Sequence, residues 1–235
     1  RYHYQGLKND VTGRGSLGFQ TVEVEDVDRK TLTTTTYLQH AVADDWILTG
    51  QVDSTSLEVL DKNEFDSNPN DPQVLETTDH SYAVQVSGTT VSGDDVEFLC
   101  RTGSETTVKD LASGADLSTT IIDNDPDGAG ACDAYGQVAK TRLTVEDYET
   151  YRQFGATVER QFAPVGWRWL IGLITNETTT RVDGIHGPFI TDRTVTYTPE
   201  GEVDVVTLNP TSGTPSEKLQ TDYDYDDYGN LRRKT

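Results

Sequence analysis

Carboxylates at alternate positions, closed by a glycine, can converge on one divalent cation, and Asp123-Asn124-Asp125-Pro126-Asp127-Gly128 has that spacing. Calcium suits such hard oxygen ligands, so Asp123, Asp125 and Asp127 are its candidate ligands. An EF-hand-like loop would close with Glu at position 134; Ala134 stands there, with Asp133 one place earlier. A solvated acidic turn would use the same residues, and both readings stay open. No other cofactor is expected.

The remaining reactive groups are scattered. His3, His40, His80 and His186 fall at no metal-ligand spacing with one another or with a cysteine. Asp79-His80-Ser81 has the composition of a catalytic triad, but neighbours along a strand point to opposite faces. Neither a phosphate-cradling glycine loop nor a nucleophile elbow is present, so no enzymatic activity is expected of this segment. Cys100 and Cys132 can form one disulfide in an exported protein, although nothing in the sequence makes their strands neighbours. Trp46, Trp167 and Trp169 lie in apolar runs and read as core. Asn176-Glu177-Thr178 is a glycosylation sequon that a bacterial or archaeal source would leave silent.

Charge narrows the partners. The 235 residues carry 40 acidic against 19 basic groups, a formal net charge of −21. Nucleic acid and anionic membrane surfaces both require clustered Lys and Arg, so neither is expected. No apolar run is long enough for a membrane span. Asp outnumbers Glu by 26 to 14 and Lys numbers only 7, a surface that stays soluble in a saline habitat or gathers divalent cations. With Met 0 and Arg1-Tyr2-His3-Tyr4 at its start, the chain reads as an interior piece of something longer.

Such residues must be positioned by strands. Thr (35 of them), Tyr (11) and Gly (20) fit pleated half-buried surfaces and the turns between them. Period-2 alternation marks Tyr82–Val86, Thr194–Thr198 and Asp222–Asp226, the last with two rings on one side and three carboxylates on the other. Thr33–Gln39 is strand-like through its β-branched run. Asn68–Pro72, Asp123–Gly130 and Thr211–Pro215 read as loops. Residues 143–154 are the best helix candidate, with Thr144 as a cap, yet a hairpin is preferred there because the chain repeats itself. Val24-Glu25-Asp26 recurs as Val145-Glu146-Asp147, Thr35–Gln39 sits opposite Thr157–Gln161, and Trp46–Gly50 opposite Trp169–Leu173. The first copy is strand-rich, so the second should be.

A shorter frame is superposed: Tyr225-Asp226-Asp227-Tyr228-Gly229-Asn230-Leu231, Tyr197-Thr198-Pro199-Glu200-Gly201-Glu202-Val203 and Cys132-Asp133-Ala134-Tyr135-Gly136-Gln137-Val138. Each reads as strand, tight turn, strand, with Gly supplying positive φ.

Tyr225–Leu231 closely resembles the tyrosine–aspartate (YD) repeat of Rhs proteins. Tyr2-His3-Tyr4-Gln5-Gly6-Leu7 and Gly13-Arg14-Gly15-Ser16-Leu17-Gly18-Phe19, followed by the Thr33–Thr36 run and the Trp46–Gly50 element, resemble the toxin-complex B-subunit and Salmonella virulence B-like branch. The resemblance implies an all-β fold in which YD-repeat hairpins wind into a spiralling antiparallel sheet, a hollow shell. Residues 1–235 would be one shell segment with an approximate internal duplication (20–138 and 141–231) and an insertion-like stretch at 60–125. Its function would be that of a wall enclosing a C-terminal toxic domain, an Rhs-type encapsulation. Its partners would be the remainder of the same Rhs polypeptide, that toxin cargo and a toxin-complex pore subunit, in a secreted or cell-surface setting. The alternative is an extracellular adhesion or binding module built from the same repeats, teneurin-like or cell-wall-associated. Cys132 departs from the repeat, where Tyr is usual, and the self-cleaving segment of the family is missing, so no proteolysis is carried over.

Overall fold

The computed structural model describes residues 1–10, 15–39, 48–60, 73–89, 95–163, 171–209 and 217–235. Expectations that fall on His40, Trp46, Trp167, Trp169, Gly13, Arg14, Asn68–Pro72 and Thr211–Pro215 lie outside these residues.

Among the described residues the chain has no α-helix and sixteen strands. The first five are β1 (Tyr2–Gln5), β2 (Lys8–Asp10), β3 (Gly15–Gly18), β4 (Thr21–Asp26) and β5 (Thr31–Tyr37). There follow β6 (Val52–Val59), β7 (Gln73–Thr89), β8 (Asp95–Lys109), β9 (Asp116–Asp123), β10 (Lys140–Asp147) and β11 (Arg152–Phe162). The last five are β12 (Ile174–Val182), β13 (Phe189–Tyr197), β14 (Val203–Leu208), β15 (Leu219–Tyr225) and β16 (Leu231–Lys234). Fourteen of them form one antiparallel sheet in chain order, and β2–β3 is a side hairpin looping out between β1 and β4. Residues 143–154 are a hairpin, β10 turning into β11, as the repeat argument requires. The stretch set apart at 60–125 supplies β7, β8 and β9 to the same sheet.

Directly opposed residues share a face, so the register can be followed across strands. One row runs Tyr4, Val22, Thr35, Thr55, Thr78, Thr106, Thr120, Val145, Phe154. A second row on the same face runs His80, Ser104, Ile122, Leu143, Ala156, Arg181, Phe189. The opposite face carries Glu23, Thr34, Ser56, Thr77, Thr107, Thr119, Glu146, Gln153. Threonine therefore fills the middle of both faces, where its hydroxyls link strands: Thr78 Oγ1 lies 2.9 Å from Thr106 Oγ1. The first face gathers most of the Val, Leu, Phe and Tyr, and the second most of the carboxylates. This alternation is what a sheet with one covered and one wet face requires.

Among the described residues no second layer covers the apolar face. No described side chain is less than 2% exposed, and Val195, at 3%, is among the most deeply buried. A single sheet has no second layer to pack on, so apolar side chains shelter one another only along the ladder.

Two turn designs close the hairpins. Asp26 and Asp147 end a strand, Asp110 directly follows one, and each accepts from the backbone N–H groups two and three residues on. The next residue is left-handed: Lys30, Gly114 and Tyr151. In the second design, Asp133, Thr198 and Asp226 bond the residue four ahead through the backbone, and Gly136, Gly201 and Gly229 take positive φ. The three matching frames are thus one turn. The frame at 132–138 departs from expectation in one respect: its turn forms, but residues 124–139 join no strand.

Candidate functional site

Beside these turns the sheet builds a recurring tyrosine anchor. Tyr37 opposes Val52, Phe162 opposes Ile174, Tyr197 opposes Val203 and Tyr225 opposes Leu231, each next to a β-bulge. The phenols then reach backwards along the sheet. Tyr225 Oη donates to the Val203 carbonyl at 2.9 Å, Tyr197 to Ile174 at 2.8 Å, and Tyr82 to Val52 at 2.8 Å. Each acceptor stands two residues after a positive-φ glycine: Gly50, Gly172 and Gly201. The anchor therefore ties one hairpin mouth to the turn before it through a phenol-to-carbonyl hydrogen bond. Burial pushes the Tyr82 and Tyr197 hydroxyls above the usual phenol range, which keeps them protonated as donors.

This arrangement was not read from the sequence. Its signal is Gly-x-aliphatic followed 22 to 30 residues later by Tyr. The second ring of the frame behaves differently: Tyr228 is 89% exposed and Tyr135 40%, because the turn apex lies beyond the ladder.

The apolar face holds a hollow of about 650 Å³ over β10–β13, floored by Leu143, Val145, Phe154, Ala156 and Phe189 with Arg181 at its rim. Nearby, Arg160 bonds Glu177 at 3.0 Å and Arg193 approaches the same carboxylate at 3.9 Å.

The nominated calcium ligands are adjacent in the chain but turn to different partners. Asp123 Oδ1 accepts from Asp125 N at 2.9 Å, and Asp125 Oδ1 from Gly130 N at 2.8 Å. Asp127 Oδ2 sits 2.7 Å from Lys140 Nζ, whose hydrogen bond holds its carboxyl below the usual range. Among the described residues no three His, Cys, Asp or Glu side chains are grouped to hold a metal.

Asp79 and His80 occupy opposite faces, as the strand period demands, so the triad composition assembles nothing. Arg101 Nη2 instead donates to His80 Nδ1 at 2.8 Å, which fixes the ring proton on Nε2. Burial first, then the Arg101 charge, hold the His80 pKa below its ordinary 6.5, against Asp79 and Asp53. A depressed pKa means that the folded state resists protonation. Its stability contribution is complete above pH 6.5 and is lost as pH falls through the folded value. In an NMR titration of the His80 ring, Arg101→Ala is expected to raise the midpoint part of the way to 6.5; an unchanged midpoint would exclude the charge effect.

His186 lies 2.7 Å from Asp183 in an exposed turn, and its backbone N–H and ring together hold the Asp183 carboxyl well below the carboxylate range. The sequon residue Asn176 is mid-strand in β12, between Gln161 and Thr194. Cys100 and Cys132 are joined in a disulfide, with Cα atoms 6.1 Å apart.

No protein-family model matches the chain, and no curated protein matches its sequence. Solved structures do match. TcdB2-TccC3 superposes with a TM-score of 0.69, TcdB2-TccC3 without its hypervariable C-terminal region with 0.70, and TcdB2-TccC3-Cdc42 with 0.69. All share 11% identity and cover 100% of this chain. The chain spans 18% of the length of those structures. Its all-β antiparallel architecture is thus a fold shared with the matching part of TcdB2-TccC3. No helix among the described residues is long and apolar enough to cross a membrane.

Proposed function

We propose that this chain is a structural wall segment of a secreted Rhs/YD-repeat shell. Its apolar face is turned inward on a C-terminal toxic domain, and neighbouring parts of the same polypeptide continue the wall. The carrying observation is an apolar face that no described residue layer covers, on a sheet whose strands follow chain order without a crossover. A container wall needs that asymmetry: a greasy lining, a charged outside and neighbours added side by side. The shared fold with TcdB2-TccC3 along the whole chain supports the reading. A toxin-complex pore subunit is the partner through which such a container would discharge. The adhesion reading has in its favour the bare rings at two turn tips, Tyr151 at 92% and Tyr228 at 89% exposure.

The test is protease protection in the complete polypeptide that contains this segment. We expect its C-terminal domain to resist trypsin while native and to be cut within minutes after mild urea. Equal cleavage with the repeat region present or deleted would overturn the enclosure.

A further inference from the structure

Residues 124–139 run between β9 and β10 without joining any ladder, and they lie where a strand is missing. Pairing of β9 with β8 starts at Gly103 opposite Asp123, whereas β8 continues back to Asp95 with only β7 at its side. That leaves the far edge of β8 to be covered by something other than a strand. Residue Asn124 begins the cover: its N–H donates to the Thr102 carbonyl at 2.7 Å and its Nδ2 to the Arg101 carbonyl at 2.9 Å. Cys132 completes it through the bond to Cys100, with Ala131 and Val138 packed around the sulfurs. From there the segment reaches the next hairpin pair, where Gln137 Oε1 accepts from Gly172 N at 3.2 Å.

Other attachments of this strap are sparse. Thr141 Oγ1 donates to Asn124 Oδ1 at 3.0 Å, Lys140 pairs with Asp127, and Arg160 N donates to the Ala139 carbonyl at 2.7 Å. Asp125 N also donates to Asp123 Oδ1 at the end of β9, and other bonds are internal, such as those of Asp125 with Gly130 and Asp133 with Gln137. A segment of this length with no ladder bonds depends heavily on its one covalent tie.

We infer that the Cys100–Cys132 disulfide is a redox latch: it holds the 124–139 strap over the open edge of β8, and reduction by a thiol releases the strap and bares that edge. Two thiols supply the two electrons. A thiolate attacks one sulfur to give a mixed disulfide, and a second thiol resolves it. The products are two cysteine thiols and one small-molecule disulfide. Cys100 is 5% and Cys132 8% exposed, so attack waits on local opening of the strap. The rate of unlatching is thus set by the strap's own hydrogen bonds. In thiol-poor surroundings the wall segment is locked, and in thiol-rich surroundings it gains an unpaired strand edge.

The experiment is hydrogen–deuterium exchange on the folded chain, purified in air and then held with or without millimolar glutathione. Reduction is expected to speed exchange in peptides spanning 124–139 at least ten-fold while β10–β11 keeps its protection. Removing the two side-chain bonds of Asn124 by Asn124→Ala is expected to speed thiol release at least five-fold. Free thiols in the air-purified chain would overturn the latch. So would a strap whose exchange ignores reduction, or exchange rising equally over the whole sheet, which would make the bond a general staple.

Discussion

Val195→Asp is expected to unfold much of the protein, because it places a carboxylate at one of the most deeply buried positions described. Val195 lies in β13, 3% exposed, opposite Val206 of β14. The charge would be desolvated beside Val206, at about 3 kcal/mol or more. Domains hold only about 5–15 kcal/mol in all, and a sheet without a second layer belongs at the low end. Urea denaturation followed by tryptophan fluorescence reads the effect as a large fall in midpoint. Val195→Ala, which only trims the side chain, should cost about 2 kcal/mol. Equal midpoints for Val195→Asp and wild type would mean that this position is wet, and the apolar face would lose its best-sheltered point.

Gly103→Val should be nearly as damaging, for a reason of backbone approach and not of charge. A Cβ built on Gly103 would stand 2.5 Å from the Ile122 carbonyl oxygen in β9, closer than real contacts allow. Main chain cannot swing aside as a flexible side chain does, so β8 and β9 must separate where their pairing ends. We expect a loss of about 3 kcal/mol, in the range of severe overpacking. Gly187→Ala is the control: nothing lies within 4 Å of its Cβ, and its φ is not among the positive values. It should change stability by under about 0.5 kcal/mol. A similar small effect at Gly103 would argue that the β8–β9 register is wrong.

Much of this architecture could be read before any coordinates, because period 2 and glycine turns are local signals. Asp222-Tyr223-Asp224-Tyr225 announced its own strand, now the acidic–aromatic β15. Repetition was strong enough to prefer a hairpin over the helical look of residues 143–154, and Asp26 and Asp147 do close their hairpins with the same Asp-capped turn. Long-range partners were less legible. A tyrosine hydroxyl's acceptor lies in the previous hairpin, so neither Tyr197 nor Ile174 advertises the other locally. Joining Cys100 to Cys132 depends on where the strap crosses β8, which no alternation pattern encodes. The acidic run at 123–127 shows the same limit: spacing along the chain sets three carboxylates close together, but their partners, two backbone amides and Lys140, are not local signals.

Because sheet order follows chain order, every strand from β5 to β15 pairs, among the described residues, only with its sequence neighbours. Lengthening the gene by one hairpin would then leave all existing pairings untouched and widen the sheet by about 10 Å, two interstrand spacings. Deleting one would narrow it by the same amount. Evolution can accordingly tune girth in fixed increments by slipped-strand duplication alone, without redesigning a core, and a population of related genes should differ in length by whole multiples of a hairpin.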